Sequence, residues 1–232
     1  NVTVKTLYFG GAGTLSFEKP GNTKNPYDEY VSDPAKPVPY TAEITQWYNA
    51  SFMDEDQRFA SRRPDVLVYQ TPVLDEDITI AGPISVNLVG STSGTDCDWV
   101  VKVIDVFPDT MRTPPNEQQT PLGGYQMLVR GDVLRGKFRN SLSNPEPFVP
   151  DKPTPVNYVL QDAFHTFGRG HRIMVQVQST WFPMIDRNPG KFMDIYEAKD
   201  SDFQKTVQRV YHSGTNASSI KVNVWKQEET SQ

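Results

Sequence analysis

From Val66 onward the chain repeats short apolar runs with a period of two residues. Over residues 172–181, Ile173, Val175 and Val177 alternate with Arg172, Gln176 and Gln178, the pattern of a half-buried antiparallel strand. Residues 98–107 set Trp99, Val101 and Val103 on one face and Val100, Ile104 and Val106 on the other. A strand apolar on both faces belongs at the centre of a fold, covered on each side. Ile84, Val86 and Leu88 alternate with Ser85, Asn87 and Val89, and Tyr125, Met127 and Val129 begin a further strand. Residues 207–211 and 220–225 predict a closing strand pair, with Ser213-Gly214-Thr215-Asn216-Ala217 as its hairpin loop. Residues 2–9 and 15–17 predict a hairpin across Gly10-Gly11-Ala12-Gly13.

Helical periodicity is scarce. Residues 54–60 predict one or two turns with acidic groups at the start, and Phe192, Ile195 and Tyr196 have the spacing of a short helix before Asp200. The chain holds 19 Pro and 15 Gly, and the Pro-rich stretches 33–39, 108–121 and 145–155 exclude interior strand or helix. They read as ordered surface arms or long crossovers. The expectation is an all-β fold: a jelly-roll β-sandwich, galactose-binding-domain-like, with one or two short helices. A single domain spans 1–232, with N-terminal strands and a Pro-rich arm over 1–64, the main sandwich over 65–226 and a polar tail over 227–232.

Charge and cysteine content narrow the function. The 23 basic and 28 acidic side chains give a net charge of −5, which argues against a nucleic-acid partner because phosphate contacts need a basic face. No apolar run approaches the length of a membrane helix. Cys97 is the only cysteine, which excludes an intramolecular disulfide and a multi-cysteine metal centre. Gly90-Ser91-Thr92-Ser93-Gly94 has the outline of a nucleophile elbow, but Thr92 stands at its centre and a strand follows where a helix is required. It reads as a hairpin loop. His165, His171 and His212 lack metal-ligand spacing and read as structural, the first two at a turn around Phe167-Gly168-Arg169-Gly170. The pairs Asp54/Asp56, Asp75/Asp77 and Asp96/Asp98 lack the rest of a calcium loop and read as solvated carboxylates. Sequons occur at Asn1, Asn49 and Asn216. No cofactor or metal is predicted. Residues 181–189, with Trp181, Phe182, Asp186, Arg187 and Asn188, form the densest polar-aromatic cluster, the composition of a ligand site or a protein contact.

Several ordered segments carry a resemblance. They are Tyr30 to Tyr40 (YVSDPAKPVPY), Arg63 to Tyr69 (RPDVLVY), Asp96 to Lys102 with Asp105 to Asp109, Arg130 to Gly136, Gly170-His171-Arg172-Ile173 and the Trp181 loop. Together they resemble the C-terminal, non-catalytic domain of the X-Pro dipeptidyl-peptidase and cocaine esterase family, in particular the α-amino-acid ester hydrolases and glutaryl-7-aminocephalosporanic acid acylases. The resemblance implies a parent enzyme with an α/β-hydrolase domain bearing a Ser-Asp-His triad, a helical cap and this jelly-roll. It also implies a periplasmic or secreted parent and assembly into homo-oligomers through that parent. No motif of the triad has a counterpart here, so no catalytic residue carries over. The carboxylates that bind a substrate amino group also lie outside the jelly-roll in that family, so Asp186 takes no such role. The chain begins Asn-Val-Thr, which fits a piece of a longer protein. The expected contact with the hydrolase domain runs through Tyr30, Asp33, Pro34, Tyr40, Trp181, Phe182, Asp186, Arg187 and Asn188. A second class of function, a carbohydrate- or ligand-binding jelly-roll using Trp47, Trp99, Trp181 and the tyrosines, stays open at this point.

Overall fold

A computed structural model describes residues 2–115 and 121–226; the polar tail and the sequon at position 1 lie outside these. The strands are β1 (Val2–Gly10), β2 (Thr14–Ser16), β3 (Tyr27–Ser32), β4 (Leu67–Gln70), β5 (Ile78–Thr92) and β6 (Asp98–Val106). They continue as β7 (Gln126–Arg135), β8 (Thr154–Phe167), β9 (Arg172–Gln178), β10 (Thr206–Tyr211) and β11 (Ser219–Trp225). All eleven hydrogen-bond into one sheet that folds over on itself as an all-β sandwich.

The 15-residue β5 is the spine of one layer. β8 runs antiparallel along one of its edges, and β11 and β10 share the other. The second layer has the order β4-β9-β6-β7. The layers join where β1, paired with β11, turns back into β2, which meets β4 at the single parallel bridge Thr14↔Gln70. Trp99, Val101 and Val103 of β6 face Ile84, Val86 and Leu88 of β5 in the main core, with Val156 and Leu160 of β8 and Ile173, Val175 and Val177 of β9. The period-two pattern therefore predicts the inner faces correctly, because burial of one face fixes register.

Four local expectations are corrected. β10 and β11 do not pair with each other: β10 pairs with β3 and β5, and β11 with β1 and β5. The chain descends the edge of β5 as β10, loops out over 212–218 and resumes in the same direction as β11. Ser218 Oγ bridges the gap by accepting from Val89 N at 3.0 Å, and Val210 and Ile220 both enter the core. Next, Gly90, Ser91 and Thr92 are strand, not hairpin loop; Gly90 lies so close to the Trp99 indole that a Cβ would sit 2.6 Å from the ring. Third, β9 is buried on both faces, since an arm covers Met174, Gln176 and Gln178. Finally, Asp96 and Asp98 are buried rather than solvated. The helical expectations shrink to α1 (Arg58–Ser61) and short 3-10 turns at Ala50–Met53, Ile195–Glu197 and Asp200–Asp202.

Candidate functional site

The elbow-like motif meets no base among the described residues. Thr92 and Ser91 of the elbow-like motif are buried, and no Ser or Thr hydroxyl among the described residues bonds a histidine ring. His165 Nε2 and His171 Nδ1 instead hold the two oxygens of buried Asp105 at 2.9 and 2.8 Å, and His212 lies 3.4 Å from Asp28. All three histidines thus have structural partners, as the sequence predicts. Among the described residues no three His, Cys, Asp or Glu side chains converge as metal ligands, and no helix is long and apolar enough to cross a membrane.

What the fold does build is a covered face on the outside of the β4-β9-β6-β7 layer. Pro residues keep the segment after β3 out of the sheets, so it crosses this layer as an arm. Val38 N donates to Thr180 Oγ1 at 2.7 Å, Phe182 N to Val38 O at 3.0 Å and Tyr40 N to Phe182 O at 2.9 Å, so arm and Trp181 loop are zipped together. Arg187 Nη1 donates to Pro34 O at 2.9 Å and its guanidinium lies over the Phe182 and Phe203 rings. Lys205 pairs with Asp33 at 2.9 Å and holds its carboxyl below the usual range, aided by the Ala35 N–H. Beneath, Tyr30 Oη and Ser179 Oγ are 2.6 Å apart, and burial raises the Tyr30 phenol far above its ordinary value.

The loop is anchored from below. Asn188 Nδ2 donates to Asp98 Oδ1 at 2.9 Å, Arg135 sits 3.3 Å from the other Asp98 oxygen, and Arg135 also reaches Asp186 O at 3.2 Å. Burial pushes the Asp98 carboxyl up to about 6 in spite of the Arg135 charge and the Asn188 hydrogen bond. Under the arm, the ammonium of Lys102 is fully buried between the Trp181 and Phe59 rings, and desolvation brings it down to about 7.

Tyr40, Phe52, Val100 and Trp181 pack as a second apolar cluster over this layer, with Tyr48 stacked 6.0 Å from Tyr40. Above it, Ile44, Trp47, Tyr48 and Met53 are exposed, Trp47 by 81% and Tyr48 by 68%. Tyr40, Trp47, Tyr48, Pro183 and Met184 enclose a pocket of about 210 Å³. The structure thus draws the expected contact residues into one region but sorts them by depth. Tyr30, Pro34, Tyr40, Trp181 and Asn188 are buried supports; Asp33, Phe182 and Arg187 are half-buried; Asp186 is exposed. Of the apolar groups that reach outward, Ile44 and Met53 are missed by sequence reading, and Trp47 and the tyrosines enter it only as candidates for ligand stacking, not as part of this contact. They sit in an irregular stretch without a strand or helix period to mark a face. Their only signal is a run of large apolar side chains where no core element is predicted.

A β-sandwich whose anchored arm holds large apolar side chains in the open has the build of an accessory domain that meets a partner. The chain belongs to the family of the X-Pro dipeptidyl-peptidase C-terminal non-catalytic domain, whose model matches residues 1–221. It is 30% identical over 227 residues to the cocaine esterase of Rhodococcus sp. (strain MB1 Bresler), covering 95% of this chain and 37% of that protein. Among solved structures it is similar to an α-amino acid ester hydrolase, with 43% identity, a TM-score of 0.90 and coverage of 96% of this chain and 36% of the other. It is also similar to an aminopeptidase from a marine sediment archaeon, Thaumarchaeota archaeon, with 42% identity, a TM-score of 0.89 and coverage of 97% and 37%. The chain thus spans about 37% of the length of the curated relative.

Proposed function

We propose that this chain is the C-terminal accessory domain of a serine hydrolase that acts on ester, amide or N-terminal peptide bonds. In this reading it packs against an α/β-hydrolase domain of the same polypeptide and helps wall the active-site cleft. The parent forms an acyl-enzyme on a serine outside this chain, with the oxyanion held by preorganised donors. The observation that carries the reading is the platform of Ile44, Trp47, Tyr48 and Met53, large apolar groups held in the open by a firmly anchored arm. Large apolar side chains left exposed along one anchored segment are the mark of a contact surface. Asp33, Phe182, Asp186 and Arg187 form its half-buried and polar margin, and Tyr30, Pro34, Tyr40, Trp181 and Asn188 stiffen it.

The test is made in the full-length protein. Trp47→Ala together with Ile44→Ser is expected to lower kcat/KM for an amino-acid ester at least tenfold and to make the junction sensitive to protease. Unchanged kinetics and unchanged proteolysis would remove the platform from the interface. The chain by itself is expected to turn over no p-nitrophenyl ester; activity that co-purifies with it and survives contaminant controls would overturn the accessory role.

A further inference from the structure

Lys102 is the one fully buried lysine on the outer face of β6, and the arm rather than the sandwich buries it. Its cross-strand neighbours are Gly131 of β7 and Gln176 of β9. Gly131 leaves room for both the lysine stem and the Trp181 ring, since a Cβ there would sit 3.1 Å from the indole and 3.3 Å from Lys102 Cγ. From above, Gln57 Oε1 accepts from Lys102 Nζ at 3.1 Å, and the rings of Phe59 and Trp181 lie 5.7 and 5.2 Å from the nitrogen. No carboxylate among the described residues forms an ion pair with it. Glu55 is the anion that acts on it from the arm, and Glu55 Oε1 is bound by Ala42 N at 3.0 Å. Of the other charges on the arm, Asp56 is paired with Arg58 and Asp54 is exposed to solvent. β7 and β9 offer Gly131 and Gln176 opposite it, and the Trp181 loop offers an indole. Gln176 Oε1 and Glu55 Oε2 are buried without a protein hydrogen-bond partner, so the layer between arm and sheet is polar and incompletely satisfied.

We infer that docking of the 54–60 arm onto the sheet displaces the proton of Lys102, so that Lys102 is a positioning residue whose protonation sets how firmly the arm is held. With the arm lifted, Lys102 regains water; with the arm seated, its charge lies under Gln57 and the Phe59 ring beside the Trp181 indole, with only the Glu55 carboxylate favouring it. The group goes from its ordinary 10.5 to about 7. The lifted form therefore binds more protons between these limits, and the seated form gains as pH rises through that window, up to about tenfold per pH unit. Below about pH 7 both forms are protonated and the dependence flattens. This rests on the arm's own packing and holds whether or not the platform it carries meets a hydrolase domain.

The test is hydrogen exchange of the intact chain between pH 7 and 9, corrected for intrinsic rates, comparing a peptide over 54–60 with one from β5. Gln57 N, which donates to Gln126 O at 3.0 Å, reports the arm contact directly. The wild-type arm is expected to gain about fiftyfold in protection across this range while β5 stays level. Lys102→Met is expected to raise arm protection at pH 7 to at least the wild-type pH 9 level and to abolish the slope. Glu55→Gln is expected to extend the slope to lower pH, because it removes the anion that favours the charged lysine. If Lys102→Met does not fold, Lys102→Gln takes its place with the same expectation. A flat wild-type arm profile, or a slope retained without Lys102, would overturn the inference.

Discussion

Gly90 and Gly94 frame a motif that invites a catalytic interpretation, yet packing accounts for both. A Cβ on Gly90 would meet the Trp99 indole at 2.6 Å, and one on Gly94 would meet Gly190 O at 2.2 Å. Gly90→Ala and Gly94→Ala are each expected to cost about 1–3 kcal/mol, as overpacking of a filled core does, read as a lower midpoint in urea unfolding. Asp98 offers a second residue-scale test. Its carboxyl is raised from 3.8 to about 6 by burial, so the folded state favours the protonated form. Stability from this group is complete below about pH 4 and lost as pH rises through about 6. Asp98→Asn, uncharged throughout, is expected to remove that fall, and denaturant midpoints at pH 4.5 and 7.5 check it. A fall of the same size in the Asn variant would assign the acid limb to other groups, Asp96 first among them, since burial raises it too.

At the scale of elements, the turn between β8 and β9 is clamped to β6 through one carboxylate. Asp105 is 1% exposed and takes a hydrogen bond from each of His165 and His171, so two strands and their turn depend on a single buried acceptor. Asp105→Ala, which removes the acceptor from both rings and leaves them unpaired, is expected to cost about 2–3 kcal/mol, and Asp105→Asn less, because its amide N–H can still donate to one ring in its other tautomer. Faster amide exchange at residues 168–171 would locate the loss in the turn; a loss spread evenly over the core would not fit the clamp. This clamp also marks how far sequence reading reaches. The inner faces of β5, β6 and β9 are legible because alternation along one strand reports one buried face. The buried outer face of β9 is not, since Gln176 and Gln178 look solvated until the arm arrives, with Gln57 lying 119 residues before Gln176. The continuity of β10 into β11 is hidden for a similar reason. A Ser-Gly-Thr-Asn-Ala loop fits a hairpin as well as a bulge, and only the length of β5 decides between them. In the candidate face, the buried Trp181 and Tyr40 are recognisable as large aromatics in a distinctive segment. Their exposed partners Trp47 and Ile44 carry no periodic signal, because an arm follows the surface it crosses rather than a helix or strand repeat.

For the whole molecule, the sandwich core is closed, and the apolar surface it leaves open is uneven. Ile44, Trp47, Tyr48 and Met53 are exposed, with Trp47 and Tyr48 lining the pocket at Pro183 and Met184, on an arm fixed by hydrogen bonds and by the Arg187 guanidinium. An arm so fixed cannot fold its own aromatics inward, so relief must come from outside the chain. In isolation the chain is therefore expected to self-associate weakly at this face, with sedimentation showing a concentration-dependent shift in the 10–100 µM range, about the strength of a small wet interface. Ile44→Ser with Trp47→Ser is expected to restore a monomer without lowering thermal stability, since both side chains are already exposed and contribute little to folding. On the proposed reading, the same pair of substitutions in the full-length protein is expected to weaken the junction with the hydrolase domain. If they abolish self-association but leave that junction intact, the platform would be a contact between copies and the hydrolase domain would meet another face. If they act on both, one surface serves the intramolecular contact, and self-association is what that surface does when its partner is absent.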